Sequence, residues 1–131
     1  MRRLLPCLAA MLVAAGCSPS LDELRQEPAA VAGTFPGDYK EMAACVAYAL
    51  EPRYPVASII RDRDRTATLT HTHYNLWDRR VLFEVRLMAV GSGQVAAEFR
   101  PAIFPGIWNE KIWPEVERCA GGDAHAASAQ R

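Results

Sequence analysis

The spacing of apolar residues changes character along this chain, and each change marks an expected element. Residues 4–15 are apolar or small without interruption, a helix-length run with no polar face. From Tyr39 the period becomes helical: Tyr39, Met42, Ala43, Val46, Ala49 and Leu50 share one side. Asp38 with Glu41 three residues on makes a capping-box-like start, and Pro52 ends the pattern. The period then drops to two. Residues 56–61 form a short β-rich run, and residues 66–74 place threonines on one face and Ala67, Leu69, His71 and His73 on the other. In residues 81–90, Phe83, Val85, Leu87 and Ala89 oppose Glu84 and Arg86; in 94–100, Val95, Ala97 and Phe99 alternate. Charged residues 62–65 and the triplet Gly91, Ser92, Gly93 read as reversals, so neighbouring strands run antiparallel. In residues 104–119, Pro105 and Gly106 mark a turn, and Pro114 suits the first turn of a short helix reaching Cys119 before Gly121 and Gly122 stop it.

These elements predict an α+β fold: an N-terminal helix, a three- or four-stranded antiparallel meander and a short C-terminal helix, both helices on one face of the sheet. The domain is expected over residues 36–120. Before it, residues 18–34 hold Pro19, Pro28, Gly33 and a charged stretch at 22–27. Ser20 with Glu23 can cap a helical turn, but Pro28 limits it, so residues 17–35 are expected to be a flexible tether. As coil, such a spacer reaches roughly 20–25 Å. Residues 121–131, rich in Ala, Gly and Ser, are expected to be a disordered tail.

Arg2 and Arg3 precede the apolar run, and the run is too short to cross a bilayer, which takes roughly 20 apolar residues. It is therefore a targeting element. Its end, Val13, Ala14, Ala15, Gly16 and Cys17, resembles the lipobox of bacterial lipoproteins. That family most often has leucine three residues before the cysteine, where this chain has Ala14. Its cysteine is diacylated on sulfur, the bond before it is cut, and the new amino terminus is usually acylated. The resemblance implies lipidation of Cys17, removal of residues 1–16 as the signal peptide, and membrane contact through the lipid. In enterobacterial lipoproteins an aspartate directly after the cysteine retains the protein at the inner membrane. Ser18 stands there, which implies the outer membrane, facing the periplasm. Ala14 and Gly16 also suit the ordinary secretory peptidase, the route to an unlipidated periplasmic protein.

Cysteine parity follows from that resemblance. Cys7 leaves with the signal; if lipid occupies Cys17, Cys45 and Cys119 make one pair in an oxidising compartment. Closing that loop is worth roughly 4 kcal/mol in the chain-entropy model, which matters for a small core. Two buried free thiols are the alternative; a metal site is disfavoured, since no C-x-x-C pair exists to complete one.

Composition narrows the partners. Without Arg2 and Arg3, 13 basic side chains face 15 acidic ones, a formal charge of −2 with no surplus to attract nucleic acid. His71 and His73, two apart on a strand, can face one metal ion, but no third ligand has suitable spacing and His125 lies in the tail. Ser92 sits between two strands, which is not a hydrolase elbow. No acid and base pair and no phosphate loop stands out, and the sign-alternating residues 61–65 read as a solvated turn. No catalytic residue, metal site or cofactor is assigned. Trp77, Trp108 and Trp113 are the candidate interaction surface, although aromatic cover of the core is the commoner use; Trp77, in a polar loop, is expected to be the most exposed. The expected function is a membrane-anchored envelope lipoprotein that binds or scaffolds another envelope protein. The alternatives are a metal-binding protein or enzyme built on His71 and His73, and a protective lipoprotein of the inhibitor or exclusion type.

Overall fold

A computed structural model describes residues 18–121 of the chain. Residues 1–17, which hold the expected signal peptide and Cys17, and residues 122–131, most of the expected tail, lie outside the described residues. In order the elements are α1 (Leu21–Gln26), β1 (Val31–Pro36), α2 (Tyr39–Leu50), β2 (Ala57–Arg61), β3 (Thr66–Tyr74), β4 (Arg79–Val90), β5 (Gln94–Pro101) and α3 (Pro105–Ala120). The fold is α+β, with one five-stranded antiparallel sheet in the order β1-β5-β4-β3-β2.

Helix α2 forms where the stripe predicts it. Asp38 is the extended N-cap, accepting hydrogen bonds from the backbone N–H groups of Lys40 (2.9 Å) and Glu41 (3.1 Å). Its buried face, Tyr39, Met42, Ala43, Val46 and Leu50, packs on Ala67, Leu69, Phe83, Val85, Leu87, Val95, Ala97 and Phe99, the inward positions of three strands. Helix α3 joins the same core through Ile112, Val116 and Cys119, so α2 and α3 cover one face of the sheet. Cys45 and Cys119 form a disulfide between these helices, with Cα atoms 5.7 Å apart across 74 residues of sequence.

Three expectations are corrected. The first concerns the tether. Residues 21–36 are not a spacer: Ser20 and Glu23 close a complete capping box that starts α1, and β1 pairs with β5 from Val31 opposite Phe99 to Pro36 opposite Gln94. Pro36 is harmless at the end of an edge strand. At Gly33 a Cβ atom would come within 3.0 Å of the Phe35 ring and 3.4 Å of Trp113, so glycine here makes room for that aromatic pair.

The second correction is the strand count, which β1 raises to five. The third is α3, which is 16 residues long and starts at Pro105, with Pro114 inside it and not in its first turn. Pro105 supplies the preset φ of a first helical residue, while Phe104 before it is left-handed (φ 49°) and gives no side-chain cap. Pro114 offers no N–H to the carbonyl of Glu110; burial of Ile112, Val116 and Cys119 holds the helix together across it.

Helix α1 lies on the other face of the sheet. There Arg25 grips Glu84 with Nε at 3.1 and 3.2 Å from the two carboxylate oxygens and Nη2 at 2.7 Å from Oε2. Arg100 donates to the carbonyl of Glu27 (2.9 Å) and to Glu98 (2.6 Å), fixing the chain that leaves α1.

Candidate functional site

Strand lengths make the most prominent surface feature. β2 ends its pairing with β3 at Thr70, and β5 ends its pairing with β4 at Phe83, but β3 and β4 continue together to Tyr74 opposite Arg79. The result is a two-stranded arm about 10 Å long, from three residue pairs beyond the sheet at about 3.3 Å each. At its root the register shifts between His71 and Thr72, so Leu82 of β4 is passed over; a bulge of this kind bends and twists the ribbon.

The arm ends in Asn75, Leu76, Trp77 and Asp78. The Asn75 side chain accepts from the Trp77 N–H (2.9 Å), the Asn75 N–H donates to the Asp78 carbonyl (2.9 Å), and Asp78 pairs with Arg80. Arg79 lies 5.6 Å from the centre of the Tyr74 ring. Local bonds therefore order the turn while Leu76 and Trp77 stand out of it, 88% and 90% exposed. Phe104 and Ile107, both exposed, follow the end of β5 at Pro101 and so belong to the same end of the sheet.

Of the three candidate tryptophans, the structure exposes one and tucks in two. Trp108 is part-buried against Tyr54 (ring centres 5.2 Å apart), Phe83 (5.2 Å) and His71 (6.2 Å). Trp113 is part-buried beside Phe35 at 6.0 Å. Trp77 takes no part in these contacts. The expected three-tryptophan surface thus divides: Trp108 and Trp113 close the sides of the core, and Trp77 alone faces solvent.

The two histidines also divide. His71 Nδ1 donates to the Pro55 carbonyl at 2.8 Å, and its ring packs among Tyr54, Phe83 and Trp108. His73 is exposed on the arm. Among the described residues no group of three or more His, Cys, Asp or Glu is placed to hold a metal ion.

Charge is organised on both faces. At the start of α2, Asp62 receives the Lys40 ammonium at 2.5 Å and the Tyr39 hydroxyl at 3.2 Å. The hydrogen bond from Lys40 holds the Asp62 carboxyl below the usual range and lifts the Lys40 ammonium, while burial with the Asp62 contact pushes the Tyr39 phenol up. Glu84 sits at an outward position in the β4 alternation, yet it is buried, with Arg25 of α1 against its carboxylate. Its side chain has no exposure, whereas Arg25 keeps 30%. Sequence reading missed this pair, and the one available signal was the capping box of α1.

Among the described residues, clefts open on both sides of the sheet. One of about 310 Å³ lies at the C-terminal end of α2, bordered by Arg53, Lys111 and Arg118. The other, of about 240 Å³, lies beside α1 on the far face of the sheet. No protein-family model matches this chain, and neither does any curated protein or solved structure.

Proposed function

We propose that this chain is a bacterial envelope lipoprotein, anchored by lipid on Cys17 at the outer membrane, that acts by binding another envelope protein through the tip of the β3–β4 arm. The observation that carries the binding role is the exposure of Leu76 and Trp77 on a turn ordered by Asn75 and Asp78. Two large apolar side chains held in water gain from burial in a partner, and a turn already ordered loses little entropy on docking. The anchor rests on the resemblance of residues 13–17 to a lipobox and on pairing of Cys45 with Cys119, which leaves Cys17 without a cysteine partner among residues 18–121.

The test uses the full chain in cells with a photo-crosslinking residue at Asn75. A single adduct of defined mass is expected, and Trp77→Ala should abolish it while moving the melting temperature by no more than the equivalent of about 0.5 kcal/mol. An adduct indifferent to Trp77→Ala, or none at all, refutes the binding role. Mass analysis of the amino-terminal peptide tests the anchor separately: an unmodified Cys17 thiol removes it.

A further inference from the structure

The cleft beside α1 gathers residues that lie far apart in sequence. Arg61 stands opposite Thr66 in the β2–β3 register, and Thr68 stands opposite Arg86 in the β3–β4 register. Opposed residues in an antiparallel pair point to one face, and Thr66 and Thr68 are two apart, so these four side chains share the face on which Glu84 meets Arg25 of α1. Arg25 leans in from α1, and Asp64 closes one side.

Three arginines and two threonines line a cleft of about 240 Å³. Glu84 engages Nε and Nη2 of Arg25 and offsets its charge. Arg61 and Arg86 make no ion pair, and Thr66 and Thr68 no side-chain hydrogen bond, among the described residues. Against Asp64 they leave one net positive charge in the cleft, carried on forks whose geometry suits phosphate oxygens. The strands set the spacing of Arg61, Thr66, Thr68 and Arg86, and the Glu84 clamp sets that of Arg25, so little reorganisation is needed on binding. The cleft lies below the roughly 300–1,000 Å³ of sites for larger ligands. It fits a phosphate group with the first atoms of its alcohol, to whose hydroxyl Asp64 presents an acceptor.

We infer that the cleft between α1 and β2–β4 binds the phosphate of a polyol phosphate ester. Such a group occurs in an anionic glycerophospholipid headgroup and in soluble polyol phosphates. Resting on the lipid-anchor reading above, the headgroup is within reach: only Ser18, Pro19 and Ser20 separate Cys17 from α1, at most about 14 Å of extended chain.

The experiment titrates two probes, glycerol 3-phosphate and dihexanoyl phosphatidylglycerol, into the full chain in dodecyl maltoside by calorimetry. Saturable binding of at least one probe is expected. Arg61→Gln and Arg86→Gln should each weaken it about tenfold or more, as expected for loss of a charged hydrogen-bond donor, and Arg53→Gln at the other cleft should leave it unchanged. Melting curves check that each variant is folded. Lipid binding as tight as glycerol 3-phosphate binding assigns the headgroup; glycerol 3-phosphate binding alone assigns a soluble ester. No saturable binding of either probe, or binding unaltered in both arginine variants, overturns the inference. Cys17→Ala separates it from the anchor: that variant loses any lipid on the cysteine and should still bind the probe.

Discussion

Arg25→Ala should destabilise the protein far more than Glu84→Gln, although the two substitutions break one ion pair. The difference comes from burial. Glu84 has no side-chain exposure and Arg25 keeps 30%, so removing the arginine strands a carboxylate without its partner, whereas removing the carboxylate leaves a guanidinium that can turn to water. Truncating one partner of a buried pair costs about 3–5 kcal/mol. Two features pull the value to the lower end. Arg100 lies directly opposite Glu84 in the β4–β5 register and can swing toward it. Helix α1 can also undock and admit water, which caps the loss at the free energy holding six residues and the single buried Leu24 to the sheet. About 3 kcal/mol is expected for Arg25→Ala, a fall of about 15 °C in melting temperature for a domain of this size. Glu84→Gln keeps the shape and one acceptor and should cost about 1 kcal/mol.

Urea unfolding followed by tryptophan fluorescence gives both values, and hydrogen exchange separates the routes. If α1 undocks, amides of residues 21–26 lose protection while those of β4 and β5 keep theirs. A loss below about 1 kcal/mol for Arg25→Ala, or an equal loss for Glu84→Gln, refutes the claim that a desolvated carboxylate sets the cost.

Reducing the Cys45–Cys119 disulfide acts mainly on the unfolded chain, because it frees a loop across 74 residues of separation. Stability should fall by about 4 kcal/mol and the urea m-value should rise; an unchanged m-value rejects the unfolded-state account. On the acid side, the backbone N–H of Ser20 holds Glu23 below its ordinary 4.5, and Lys40 holds Asp62 below 3.8. Both pKa values are depressed in the fold, so their contribution is present above those ordinary values and is lost as pH falls through the lower folded ones. Carboxyl-carbon NMR titration should place both midpoints below those values, and Asp62→Asn should flatten the acid limb of stability. A Glu23 midpoint at or above 4.5 contradicts the capping box.

Short-range signals explain what was legible. Asp38 and the stripe of α2 are local, and so are the alternations of β3 to β5 with the Gly91 to Gly93 reversal; each element declares itself in its own residues. β1 does not. Val31 to Pro36 contains a glycine and ends in a proline, and it is a strand because Phe99, Ala97 and Val95 of β5 offer it partners sixty or more residues away. The start of α3 hid for a related reason: Phe104 offers no side-chain cap, and the buried stripe of Ile112, Val116 and Cys119 outweighs a proline in the interior.

The same distinction governs the candidate sites. Trp77 was legible because a turn between strands exposes its residues wherever the fold places it. The arginine cleft was not, since Arg61 belongs to a charged run that reads as solvated and Arg86 to the polar side of a strand. Only the register that sets Arg61 beside Thr66 and Thr68 beside Arg86, and the docking of α1 above them, turns separate solvated charges into one concave surface. Docking of α1 also removes most of the spacer between Cys17 and the sheet. If lipid sits on Cys17, a domain expected to hang some 20–25 Å from its anchor as coil is instead held close to it, with the α1 face nearest. On the lipid-anchor reading the arginine cleft then turns toward the headgroups, while the β3–β4 arm, which begins beyond the last pairing of β2 and β5, projects from the end of the sheet and keeps Trp77 free for a second partner.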